Sequence, residues 1–207
     1  MEGLPNSAYM EPRILTVAVT GASGSIFPQH LLDALERDER VGTVNLILSD
    51  SGLRVMAEEL GVSGRNEIVG KLLGRPSMKI QQQSNADIGA NVASGSYPTD
   101  AMIVLPCSMG TLARIANGMA IHLIERAADV CLKERRPLVL CVRETPFNRI
   151  HLRNMTLAAE AGATIFPAIP AFYFEPKSTE EIAREFVNRV LAHVGLPQEG
   201  AYRWKAE

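Results

Sequence analysis

The chain is predicted to fold as a single α/β domain, a doubly wound parallel sheet in three layers. Two observations lead there. Short aliphatic and β-branched runs recur at 14–20, 44–48, 101–105, 138–142 and 164–166. Such continuous apolar runs are those of strands covered on both faces. Between them lie segments whose apolar residues repeat at helical spacing, the alternation that builds strand–helix–strand units. A length of 207 residues suits one core.

Taken in order, residues 1–12 read as a disordered or extended arm, 13–196 as the folded domain and 197–207 as a tail. The run I-L-T-V-A-V-T at 14–20 is the first buried strand. It passes directly into Gly21-Ala22-Ser23-Gly24-Ser25 and then a helix carrying Ile26, Leu31, Leu32 and Leu35. Pro28 fits only the first turn of that helix, where its missing N–H costs nothing. Free N–H groups at such a helix start attract phosphate; alternatively, Gly21 and Gly24 serve only a tight turn. The pattern is short of a full dinucleotide fingerprint, so a mononucleotide phosphate is the better match. The second strand, 44–48, ends at Ser49, which is placed either to reach the same ligand or to cap the helix beginning near Arg54. A short helix is expected at 67–73, then a polar connection through Gln81, Gln82 and Gln83, and a loop at 93–97 whose hydroxyls face ligand or solvent. Helices follow at 121–135 and 149–161. The last helix starts at Ser178, with Glu181 three residues on as a capping box and Ile182, Phe186, Val190 and Val194 on its apolar face. Phe27 is expected at the surface, available for subunit contacts.

Composition removes several function classes. A net charge of −2 with no basic block gives nucleic-acid binding no support. Aromatic residues make up only 5%, too few for a base-stacking platform. No apolar run approaches the ~20 residues of a membrane span, and residues 1–11 hold no apolar signal core. The cytoplasm is the expected compartment. Cys107, Cys131 and Cys141 make neither a metal spacing nor an even disulfide set. Cys131 and Cys141 read as core residues. Cys107 sits at a strand end with no basic neighbour to lower its pKa, so it is not taken as a nucleophile. None of His30, His122, His151 and His193 joins a metal-like cluster.

The most informative stretch is 106–146, which lies between two buried strands. In an open α/β sheet, ligands bind beyond the carboxyl ends of strands. Ser108 and Thr111 follow one strand, Arg143 and Glu144 the other. Arg126 and Lys133 are seven residues apart on the intervening helix, on one face and roughly 10 Å apart along the axis. They are placed to hold a phosphate or to make surface ion pairs with Glu125, Asp129 or Glu134. Arg143 offers a rigid fork to phosphate or carbonyl oxygen. Glu144 is either a general acid/base or a structural ion-pair partner.

Several segments in order resemble the UbiX-type flavin prenyltransferases: Thr20-Gly21-Ala22-Ser23-Gly24, Ala93-Ser94-Gly95-Ser96, Pro106-Cys107-Ser108, Leu123-Ile124-Glu125-Arg126-Ala127-Ala128-Asp129-Val130, Arg143-Glu144-Thr145-Pro146 and Pro170-Ala171-Phe172-Tyr173. The resemblance spans residues 14–196. It implies a Rossmann-like or flavodoxin-like sheet that binds FMN, and transfer of a dimethylallyl group from dimethylallyl monophosphate to N5 of reduced FMN with ring closure onto C6. The product, prenylated FMN, would serve a UbiD-type decarboxylase. It implies that Gly21, Ala22, Ser23, Ser49, Ser108, Met109, Gly110, Thr111 and Arg143 hold FMN, with backbone contacts at Met109 and Gly110. Arg126, Lys133, Tyr173 and Arg189 would hold the prenyl phosphate, and Ser23 and Glu144 would manage protons. It implies no metal, and a homo-oligomer, dodecameric in the family.

Two other readings are weighed. A cysteine-decarboxylating flavoprotein of the same fold would carry a P-A-S-A-N-T loop and a histidine after the first helix. Here the loop is Pro106-Cys107-Ser108-Met109-Gly110-Thr111, and no such histidine context is seen. A non-catalytic FMN-binding or delivery subunit would have no need of Lys133, Glu144, Tyr173 and Arg189 together.

Overall fold

A computed structural model describes residues 11–204. Its centre is a six-stranded, wholly parallel sheet: β1 (Arg13–Val19), β2 (Val41–Leu48), β3 (Ile80–Ser84), β4 (Ala101–Cys107), β5 (Leu138–Val142) and β6 (Thr164–Ile165). The spatial order is β3-β2-β1-β4-β5-β6. That is the Rossmann order rather than the flavodoxin order, and it puts the reversal of winding between β1 and β4.

Among the described residues seven α-helices cover the sheet: α1 (Ile26–Arg37), α2 (Asp50–Leu60), α3 (Ile68–Leu73), α4 (Met109–Ala116), α5 (Leu123–Lys133), α6 (Arg149–Glu160) and α7 (Thr179–His193). Alternate strand residues face opposite sides, so two cores form. Leu15, Val17, Val19, Ile103 and Leu105 pack on α1, α2, α3 and α7. Ala18, Met102, Val104 and Leu140 pack on α4, α5 and α6. The three-layer expectation holds, and each face carries its own set of helices.

The structure revises three expectations. Gln81, Gln82 and Gln83 form β3, an edge strand in register with Asn45, Leu46 and Ile47 of β2. Only one margin of an edge strand is paired, and Gln81 and Gln82 are exposed, so its side chains carry no apolar signal. Residues 109–116 are the helix α4, with Ser108 as N-cap accepting from the Thr111 N–H. Phe27 is not a free surface group, since its ring packs 4.9 Å from that of Phe186. The suggested arm at 1–12 lies almost wholly outside the described residues. Cys131 and Cys141 are buried as expected, and all three cysteines are free.

The segment after α7 folds back onto α1. Asp38 accepts from Arg40 Nε at 2.8 Å and from Gln198 Nε2 at 3.0 Å, and its side chain is 6% exposed. Hydrogen bonding from Arg40 holds the Asp38 carboxyl down to about 2, against the push of its burial. A carboxyl lowered on folding stabilises fully above its ordinary value of 3.8, and that contribution is lost as pH falls through about 2. Asp38→Asn is therefore expected to remove on the order of 2 kcal/mol of the acid-dependent stability between pH 4 and 2. Denaturant titrations at a series of pH values read this directly, and parallel wild-type and variant curves would contradict it.

Candidate active site

The carboxyl ends of β1 and β4 stand at the reversal of winding, where an open α/β sheet forms its ligand crevice. Three helices begin there, α1 after the glycine turn, α2 after Ser49 and α4 after Ser108. Each presents the positive end of its dipole. Gly21 is required by close approach, since a Cβ there would collide with the Ser51 side chain. Gly24 adopts φ +117°, which favours glycine. Ser49 caps α2 by accepting from Gly52 N at 3.0 Å, and its hydroxyl lies 3.2 Å from that of Ser51. The capping role is thus filled, and Ser49 stays half-buried beside Gly21's neighbour.

The two sides of the crevice are tied together by Thr20. Its hydroxyl donates to Pro106 O at 2.8 Å and accepts from Ser108 N at 2.8 Å. On the far side, Arg143 N donates to Cys107 O at 3.2 Å and its Nε to Ser23 O at 3.2 Å. The fold thus brings Gly21, Ala22, Ser23, Ser49, Ser108, Met109, Gly110, Thr111 and Arg143 to one rim. Glu144 stands next to Arg143, exposed, with Oε1 accepting from Thr145 N at 2.9 Å. It has no cationic partner within the described residues, unlike the structural ion pair considered above.

One residue of the site escaped the sequence reading. Glu59, on α2, accepts from Gly24 N at 3.0 Å and from Ser25 N at 2.7 Å. It caps α1 from another helix, so those two amides are engaged by the protein itself. Burial pushes the Glu59 carboxyl up, but hydrogen bonding from the Ser23 side chain and the Ser25 and Gly24 amides outweighs it and leaves it below its ordinary value. Its sequence signal is only the second acid of Glu58-Glu59 on an amphipathic helix.

The remaining predicted residues divide between the two faces. Tyr173 and Arg189 line a cavity of about 270 Å³ with Phe174, Glu185, Tyr202 and Trp204. A second lobe of about 210 Å³ adds Phe166 and Phe186. Phe186 packs on Phe27, whose ring in turn lies against Gly24, so these two rings link the cavity wall to the glycine turn. Arg126 and Lys133 lie on α5, across the sheet from α7. There Arg126 donates to Asp129 at 2.7 Å and to Ala93 O at 3.1 Å, and Lys133 pairs with Glu134. Within one chain the four residues assigned to the prenyl phosphate do not converge.

Cys107 is fully buried, and burial pushes its thiol up to about 12. A thiol so protonated is a poor nucleophile. His151 shares the N-terminal turn of α6 with Asn148, whose Oδ1 accepts from His151 N at 2.9 Å. Among the described residues, no group of three or more His, Cys, Asp or Glu side chains is placed to hold a metal ion.

A Rossmann-order sheet with hydroxyls, the N-termini of α2 and α4 and an arginine around its point of reversal is the architecture of a protein that holds a nucleotide phosphate. The family model described as Flavoprotein matches residues 4–190. The flavin prenyltransferase UbiX of Pseudomonas aeruginosa is 42% identical over 199 residues, covering 93% of this chain and 94% of its own. Among solved structures, a dodecameric FMN-dependent UbiX-like decarboxylase from Escherichia coli O157:H7 gives a TM-score of 0.84 at 40% identity, over 93% of this chain and 100% of that one. AnUbiX (PadA1), solved in complex with FMN and dimethylallyl pyrophosphate, gives 0.85 at 40% identity, over 95% and 100%. The chain belongs to the flavoprotein family and, within it, to the UbiX flavin prenyltransferases.

Proposed function

We infer that this chain is a transferase that moves a dimethylallyl group from dimethylallyl monophosphate to N5 of reduced FMN, closes a ring onto C6 and releases prenylated FMN for a UbiD-type decarboxylase. The observation that carries this reading is the adjacency of two sites. A hydroxyl- and amide-lined crevice adjoins, through Phe27 and Phe186, an aromatic cavity holding Arg189. The donor set fits FMN. Ser49, Ser108, Thr111 and the first-turn amides of α2 and α4 suit its phosphate and polar edge, and Arg143 adds a fixed cation.

Bound reduced FMN supplies the nucleophilic nitrogen and ring carbon. The protein's contribution is to place charges and protons. Arg126, Lys133, Tyr173 and Arg189 are assigned to the departing phosphate, where preformed donors stabilise charge as the C–O bond breaks. Tyr173, 66% exposed in one chain and 5.1 Å from the Trp204 ring, offers a π-face to positive charge developing on the allyl group. Glu144 is assigned the proton lost on ring closure, and Ser23, beside Glu59, a proton at the flavin nitrogen.

We further propose that the working site is shared between copies. Arg126 and Lys133 sit on the face away from Arg189, so a neighbouring subunit would supply them. Exposed Phe172 (63%) and Ile169 (72%) beside the cavity support a homo-oligomer, consistent with the dodecameric relative. The three free cysteines fit a reducing compartment, and the cytoplasm is proposed on that ground.

The reading is tested by mixing the protein anaerobically with FMN, a reductant and dimethylallyl monophosphate and weighing the flavin. A gain of one prenyl unit is expected. Bound FMN of unchanged mass would leave only a carrier.

A further inference from the structure

The flavin crevice rests on an ion pair with no assigned role in the reaction, a buried carboxylate and a half-buried guanidinium. Glu125, in the first turn of α5, is 3% exposed. Its Oε1 accepts from Arg114 Nε at 2.6 Å, and its Oε2 from His122 N at 3.1 Å. A carboxylate this deep requires such compensation. The pairing fixes the plane of the Arg114 guanidinium, whose Nη2 donates to Thr111 Oγ1 at 3.3 Å. Thr111 is itself 2% exposed, and the same Oγ1 accepts from the Ser108 hydroxyl at 3.1 Å. Ser108 Oγ in turn accepts from Thr111 N at 3.4 Å.

The chain of donors has a direction. An arginine only donates, so Thr111 Oγ1 is held as an acceptor by Arg114. Ser108 then donates its hydrogen to the remaining lone pair of Thr111 Oγ1 and, with one of its own lone pairs accepting from Thr111 N, keeps a single lone pair for an N–H on the flavin's polar edge. The pair also balances charge, because Arg114 adds a cation beside a helix start that is already positive, and Glu125 offsets it.

We propose that Glu125 is a positioning residue for the flavin. Acting through Arg114, it sets the hydrogen-bond polarity of Ser108 and Thr111 and holds the first turn of α4 electrically balanced. This rests on the flavin assignment made above. In the full-length protein, Glu125→Gln keeps the shape of the side chain and removes its charge. FMN affinity, read by flavin fluorescence, should weaken roughly tenfold. The midpoint potential of bound FMN should rise, because an unbalanced cation favours the electron-rich reduced flavin. The KM for dimethylallyl monophosphate should not change. A folded variant with wild-type affinity and wild-type potential overturns the proposal.

If Glu125→Gln does not fold, Arg114→Gln/Glu125→Gln decides the matter, since it removes both charges together. Weakened FMN affinity at a near wild-type potential supports the proposal, and wild-type affinity overturns it. Wild-type protein that binds FMN yet transfers no prenyl group would defeat the functional reading alone, because affinity and potential still report on Glu125.

Discussion

Glu144→Gln should bind FMN as tightly as the wild type and slow formation of prenylated flavin by about 10²–10⁴-fold, the range spanned by loss of a general acid/base. Glu144 lies at the end of β5, next to Arg143, but makes none of the contacts that assemble the crevice. Among the described residues its carboxylate accepts a hydrogen bond only from the amide of Thr145, and glutamine can accept that bond equally well. The substitution removes the capacity to take a proton and leaves Arg143, Ser108 and Thr20 in place. Single-turnover kinetics with preformed reduced FMN isolate the step. FMN affinity that collapses together with the rate would make Glu144 structural.

The second large effect concerns the division of the site between faces. Arg126→Ala and Arg189→Ala should each abolish turnover as separate preparations. Mixed, dissociated and reassembled, the two should recover activity, because some sites will draw an intact Arg189 from one subunit and an intact Arg126 from another. For randomly assembled equal amounts, roughly a quarter of sites are intact, given closed symmetric assembly with one residue taken from each of two copies. The physical basis is the sheet itself. α5 and α7 pack on opposite sides of the sheet, in two separate cores. No recovery at all would place Arg126 or Arg189 outside the reaction, or both residues in one subunit's site.

Much of this organisation was legible in the sequence because the buried strands are so strongly apolar. The runs at β1, β4 and β5 carry almost no polar residues, and the turn after β1 announces itself through Gly21 and Gly24. β3 was illegible because an edge strand bearing Gln81, Gln82 and Gln83 needs neither alternation nor apolarity. α4 was hidden by its place directly after a strand, where Ser108 looked like part of a loop. Glu59 could not be found by spacing, since it reaches Gly24 across 35 residues and only tertiary packing makes it a cap. Arg189 was indistinguishable from a solvated helix charge, and only family likeness singled it out. Residues that work through local geometry were visible. Those set by tertiary packing, Glu59 above all, were not.

The short β6 margin has a consequence for how copies of the chain can meet. One margin of the sheet ends in a glutamine-rich strand, and the other in β6, which is only two residues long. A two-residue margin is a poor template for adding another chain's strand. Growth by joining sheets side by side is therefore disfavoured at the β6 margin, where contacts between copies would fall to helices and loops. Arg126, Lys133, Tyr173 and Arg189 all sit on helices and loops. A sheet that resists extension at that margin leaves contact to the helix and loop surfaces that the proposed sharing of the site needs.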